Sequence, residues 1–228
     1  MDVAYKKTAA TDINTQANKK QKLFFLPISP PQLALISPSP HNSAMAHQFT
    51  TSHLKDSIDL FRYYKKLAER AMEQCPEEHL FATLDVESNS IAVVAKHMAG
   101  NMRSRFTDFL TTDGEKPDRH RDSEFEEPAK SREELMAQWE SGWACVFSAL
   151  EPLNDGDLTR TVMIRTEPHS VMQAITRQIA HYTYHIGQIT FLAKHFAAEK
   201  GNWKALTIPR KQSADFNARV ASGEASQR

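Results

Sequence analysis

The stretch ITRQIAHYTYHIGQITFLAK, residues 175–194, contains no proline, a single glycine and two histidines four positions apart. At about 100° per residue, Ile175, Ile179, Tyr182, Ile186, Ile189 and Ala193 fall on one stripe, the pattern of a helix that buries one side. Thr176, Thr183, Thr190 and Lys194 cluster toward solvent. His181 and His185 share a third line, about 100° from the core stripe and nearly opposite the threonines. Gln178, Gln188 and Leu192 continue that line. A polar line on a helix side that does not face water calls for a partner. Histidines at i and i+4 stand one turn apart, so both imidazoles can reach a single ion.

Working outward, the same arrangement recurs upstream. A helix predicted from Ser88 or Ser90 to about Leu110 has Ile91, Val94, Met98, Met102 and Phe109 on its core stripe, with Lys96, Arg103 and Thr107 pointing out. His97 sits between them, about 100° off the core line, followed on its own stripe by Asn101, Ser104 and Asp108. Two helices therefore each offer histidine to an inter-helical groove. Leu54, Ile58, Phe61, Leu67 and Ala71 mark a first helix that Pro76 closes. Leu135, Trp139, Trp143, Val146 and Leu150 mark a third, opened by Ser131 and Glu134 at capping-box spacing and stopped at Pro152. The fourth helix starts at Pro168 or Ser170 and ends before Gly201; Leu158 to Thr166 alternates and predicts an extended piece or hairpin arm. Four long amphipathic helices make an all-α protein, a four-helix bundle.

The linking segment Thr111–Lys130, with Gly114, Pro117 and Pro128, is long for a compact domain, and such loops are often functional. Its acidic run, Asp122, Glu124, Glu126 and Glu127, reads either as a solvated loop or as a source of a general base beside a metal. Residues 1–48 carry a proline cluster (Pro27, Pro30, Pro31, Pro38, Pro40) and no period, which predicts a disordered extension. Lys19, Lys20 and Lys22 before Leu23–Leu26 lack the compact charged-then-apolar layout of an export signal, and Met45 reads as a natural start. The bundle is expected over 49–217, with a flexible tail at 218–228.

Composition removes several function classes. Lys plus Arg and Asp plus Glu are equal at 28 each, so no global field draws in nucleic acid or an anionic membrane. No window approaches the run of about 18 apolar residues of a membrane span. Cys75 and Cys145 lie far apart in predicted helices, against a disulfide framework or a cysteine zinc site and in keeping with the cytoplasm. Three imidazoles from His97, His181 and His185 suit Zn, Ni or Fe, and a three-ligand set leaves positions open. The competing reading is ordinary hydrogen-bonded core histidines. Gln178 and Gln188 are candidates to orient the imidazoles, and Asn101 shares the His97 stripe. Arg105, near that line, is expected either to pair an anionic substrate or to form a surface ion pair. His120 and His169 are out of helical spacing with the triad, and Tyr184 is expected to border the pocket.

The segments Lys96-His97-Met98-Ala99-Gly100-Asn101 and His181-Tyr182-Thr183-Tyr184-His185-Ile186-Gly187-Gln188-Ile189 resemble the DinB/YfiT-like superfamily. So do Phe109–Pro117, Arg121–Phe125 and the tail Leu206-Thr207-Ile208-Pro209-Arg210 with Ser213 and Asn217. The resemblance is closest to an uncharacterised bacterial branch and covers about 50–217. It implies an up-down-down-up bundle, often a homodimer, with a divalent metal on the three histidines. It also implies a small-molecule substrate, with thiol-dependent S-transfer from a low-molecular-weight thiol as the reaction of characterised relatives. A metal-dependent hydrolase and a non-catalytic metal-binding bundle are the alternatives. Two positions depart from the branch pattern: His120 stands where Asn is expected, and Lys211 where Gly is expected.

Overall fold

The computed structural model describes residues 51–126, 129–198, 201 and 203–226; the N-terminal extension and Glu127 lie outside the described residues. The chain is mostly helical, with α1 (His53–Gln74), α2 (Ile91–Phe106), α3 (Arg132–Leu150), α4 (Val171–Ala198) and α5 (Ser213–Ala221). A small hairpin, β1 (Thr161–Ile164) and β2 (Glu167–Ser170), precedes α4. All of these elements fall in the compact unit Asn42–Arg228.

The helix starts follow from local chemistry. The Ser52, Ser90 and Ser131 side chains accept from the amides of Lys55, Val93 and Glu134, satisfying donors that a first turn leaves without partners. At α4 the bonding is reciprocal: the Gln173 amide donates to Ser170 Oγ at 3.1 Å, and the Ser170 amide donates to Gln173 Oε1 at 2.9 Å. Helix α2 ends earlier than its stripe predicts, at Phe106 rather than Leu110. Thr107 is already extended and Asp108 turns left-handed at φ 48°, a conformation short polar residues tolerate. Phe109 is nonetheless buried, its ring centroid 5.3 Å from that of Phe106.

Helix α2 is not amphipathic in the way its stripe suggests. Between Ile91 and Met102, Lys96 alone is not fully buried. Its neighbours explain this: α2 packs against both α3 and α4, and the 107–126 segment folds over what remains. Close approach to α3 requires Gly142, where an added Cβ would lie 2.8 Å from the Ala99 Cα. Helix α1 packs against α4, and its contacts with α3 run antiparallel. Arg62, midway along it, pairs with Glu151 at the end of α3 at 2.7 Å, while Cys75 O past its end accepts from Arg132 at the start of α3 at 2.6 Å. The core centre is aromatic. Phe61, Trp143 and Tyr182, from α1, α3 and α4, lie 5.8–6.0 Å apart between ring centroids, and burial of each contributes about 1.5–3 kcal/mol.

The hairpin expected from the alternation at 158–166 is present. Its turn places Arg165 and Thr166 at φ 54° and 65°, a two-residue left-handed turn that neither side chain favours. Asp113 compensates, its carboxylate accepting from the amides of Arg165 at 2.8 Å and Thr166 at 2.7 Å. Beyond α4, Trp203 and Leu206 pack on the core, inside the 49–217 span expected for the bundle. The boundary expected at 217/218 falls inside a helix. Helix α5 spans Ser213–Ala221, and it buries none of its own residues. Among the described residues, no helix is long and apolar enough to cross a membrane.

Candidate metal centre

His97 projects from the middle of α2, and His181 and His185 from successive turns of α4. One ligand nitrogen of each lies within 4.8 Å of the others. The Nε2 atoms of His181 and His185 are 3.0 Å apart. Two nitrogens about 2.0–2.1 Å from one ion would be separated by about 3.0–3.4 Å, so this spacing fits a shared ligand role. The cluster lies at the groove between α2 and α4, where the off-core lines of both helices predicted it.

The outward nitrogens of His97 and His185 are already engaged. His97 Nδ1 lies 2.8 Å from Glu124 Oε2, and His185 Nδ1 lies 2.8 Å from Gln188 Oε1. Burial alone would raise the Glu124 carboxyl, but His97 and Arg119 hold it below the usual range. A carboxylate only accepts, so His97 Nδ1 is the donor in this bond, and Nε2 is the nitrogen left for the cluster. Gln188 sets His185 in the same way. Burial, reinforced by His185 and His97, pushes the His181 imidazole down to about 3, and burial lowers His185 as well. Three imidazole nitrogens brought this close form a donor set suited to a divalent cation.

Glu124 comes from the acidic run, and it alone of that run's described residues is buried. It is locked in place by Arg119, which donates from Nε to Oε1 at 2.8 Å and from a terminal nitrogen to Oε2 at 2.9 Å. Lys96 holds the same segment by donating to the carbonyls of Ser123 at 2.6 Å and Glu126 at 2.7 Å. The approach of Glu124 requires Gly100: an added Cβ would lie 2.7 Å from the Glu124 Cδ. The glycine in the α2 motif is thus where the loop carboxylate crosses the helix.

The structure sorts the remaining candidates. Asn101 is buried and accepts from the Tyr182 hydroxyl at 3.0 Å, so Tyr182 both packs in the core and fixes a side chain beside the site. Arg105 is buried rather than superficial. It donates to the Gly114 carbonyl and to Glu115 at 2.9 Å, tying the loop to α2. Gln178 is buried beside His181 but bonds neither imidazole, and its amide oxygen has no partner among the described residues. His120 and His169 do not join the cluster. Tyr184 is exposed and borders a different cleft, with Gln188 and Phe191. Both cysteines are free, and burial pushes the Cys75 thiol up to about 11, which removes it as a nucleophile.

A family model described as "Protein of unknown function (DUF1572)" matches residues 48–212. The chain belongs to this family. No curated protein and no solved structure matches it. The DUF1572 match takes in the four long helices, the hairpin and the loop that carries Arg119 and Glu124. All three histidines of the cluster therefore lie within the DUF1572 region.

Sequence reasoning missed Arg119, Gly100 as a crossing point, and the pairing of Glu124 with His97. The partners are 27 positions apart, joined by a loop with no period, and only the length of that loop hinted that it had work at the site.

Proposed function

We propose that this DUF1572 chain is a metal-dependent enzyme of DinB-like type, a four-helix bundle of up-down-down-up order whose divalent ion sits on His97, His181 and His185. The observation that carries the reading is the pair of outward bonds, Glu124 to His97 and Gln188 to His185, which leaves both Nε2 atoms directed at the cluster. Packing of α1 on α4, α4 on α2, and α2 on α3, with a lesser contact of α3 on α1, supports the bundle reading.

When bound, the ion, whether Zn, Ni or Fe, supplies Lewis acidity that makes a thiol or water a better nucleophile near neutral pH. The chain's residues do the rest. Glu124 and Gln188 keep His97 and His185 in the ligating tautomer, and Arg119 keeps Glu124 ionised. Phe125 covers His97 with its ring, 4.6 Å between centroids, and limits water access from the loop side. Among the described residues three ligating side chains converge, which leaves positions for a small-molecule substrate. Thiol transfer, with a low-molecular-weight thiol as co-substrate in the cytoplasm, is the preferred reaction, and hydrolysis is its rival. A homodimer is part of the same proposal.

Elemental analysis of untagged protein tests this, comparing the native chain with a His97, His181 and His185 triple alanine variant. The expected result is about one metal per chain, lost in the variant while helicity persists. No metal in the native protein, even after reconstitution with Zn, Ni and Fe, overturns the enzyme reading. Collapse of the fold on chelation would instead favour a structural metal.

A further inference from the structure

The zero net charge of the chain conceals a local concentration of arginine. A cavity of about 270 Å³ opens beside the imidazoles of His97 and His181, and Arg105, Arg119, Arg121, Arg165 and Arg177 all line it. Among the described residues, three carboxylates, Glu115, Glu124 and Asp122, pair with these five guanidinium groups. Glu124 takes Arg119 in the two-pronged pair, and Glu115 Oε2 accepts from Arg105 at 2.9 Å, Arg119 at 3.2 Å and Arg165 at 3.1 Å. Arg121 lies over the Phe125 ring, 5.0 Å from its centroid, and its ion-pair partner among the described residues is Asp122, at 3.7 Å, whose side chain is 98% exposed. Arg177 has no ion-pair partner among the described residues; it stands one turn before His181 on α4. Positive charge therefore exceeds negative at this wall.

A second feature points the same way. Gln178, 3% exposed, lines the cavity, and its amide oxygen is buried without a partner. Leaving a buried polar atom unsatisfied costs about 1–3 kcal/mol, a loss that a partner entering the cavity would recover. Rotating the amide end over end presents its NH₂ to the cavity as a donor. Guanidinium forks and an amide donor together match the oxygens of a carboxylate or phosphate. The cavity is below the usual range of about 300–1,000 Å³ for sites that enclose a drug-sized ligand, which suits a compact anionic group.

We propose that this cavity binds the oxyanion group of the substrate, a carboxylate or a phosphate, through Arg121, Arg165, Arg177 and Gln178, with its reactive end directed at the three histidines. The proposal deepens the enzyme reading and rests on it for the reactive end. Oxyanion binding itself does not need the metal. Arg105 and Arg119 shape the cavity and hold the loop, while the more exposed arginines contact the ligand.

The test is isothermal titration of the full chain, metal-free in chelator and again loaded with zinc, with inorganic phosphate, succinate and the neutral succinamide as probes. Binding of phosphate or succinate at one site per chain is expected. Succinamide should not bind, and Arg177→Ala or Gln178→Ala should weaken the anion at least tenfold. Arg177 is exposed, so its replacement leaves packing intact. Phosphate alone would assign a phosphorylated substrate, and succinate alone a carboxylate. Absence of anion binding in both forms, or affinity unchanged in the Arg177 and Gln178 variants, overturns the proposal. Zinc affinity, measured on the same samples with a competing chelator, reports separately on the metal reading, so either can fail alone.

Discussion

Replacing Gly100 by alanine sets two expectations against each other. Helix propensity favours alanine over glycine in a helix interior by about 1 kcal/mol, so a helix considered alone predicts a more stable protein. The structure predicts the reverse. The new methyl would lie 2.7 Å from the Glu124 Cδ and 3.1 Å from its Cγ, so the carboxylate has to leave its place over α2. It cannot move without loosening the His97 bond at 2.8 Å and the Arg119 bonds at 2.8 and 2.9 Å. Both partners are buried, with side-chain exposures of 5% for His97 and 5% for Arg119, so water does not replace what is lost. Losing charge-assisted bonds of this kind costs about 1.5–3 kcal/mol each. After the propensity gain, a net loss of about 2 kcal/mol is expected. Metal affinity should fall about 10- to 100-fold, the usual effect of removing a partner that orients a ligating histidine. Urea melts of metal-free protein and zinc competition titrations read the two effects. Glu124→Ala supplies the control: with the carboxylate gone, adding Gly100→Ala should cost little more, a non-additivity of about 1 kcal/mol or greater. A Gly100→Ala protein as stable as its parent, with unchanged zinc affinity, would refute the crossing-point argument.

Two further predictions follow from individual residues. Because the unfolded chain protonates His181 near about 6.5 while the folded protein holds it down to about 3, the unfolded state binds more protons as pH falls below 6.5. Stability of metal-free protein should therefore decline from pH 6.5 toward 5, above the range where carboxylates titrate. His181→Gln should flatten that slope by up to about 1.4 kcal/mol per pH unit, and equal slopes in urea midpoints would contradict it. At the other end of the chain, Lys211 sits at φ 66°, the conformation that favours glycine. Lys211→Gly should slow amide exchange at the start of α5 by a few-fold, about 0.5–1 kcal/mol after glycine's entropic cost; faster exchange would argue that the lysine side chain anchors the turn.

Much of this molecule was legible before folding. The wheels of α2 and α4 located the three histidines on facing off-core lines, and serines before the apolar runs marked where helices begin. Both signals are local, set by 3.6-residue geometry and by the first turn's need for acceptors. The lysine at 211 could also be flagged, because the related pattern carries glycine where the backbone proves to be left-handed.

What only the tertiary structure decided lies in the 107–126 segment. No period announces that Glu124 would be buried against His97 while Asp122 stays in water, or that Arg119 would fork onto that carboxylate. Arg105 fits both of its expected roles on a wheel, and only the position of Gly114 and Glu115 turns it into a loop tether. The arginine cavity is invisible to composition, because its members span 73 positions from Arg105 to Arg177 and are offset elsewhere by as many acidic residues. Helical periodicity reports which side of an element faces inward. Which loop carboxylate meets which imidazole depends on how a long irregular segment crosses a helix, and here that crossing is permitted by the missing side chain of Gly100.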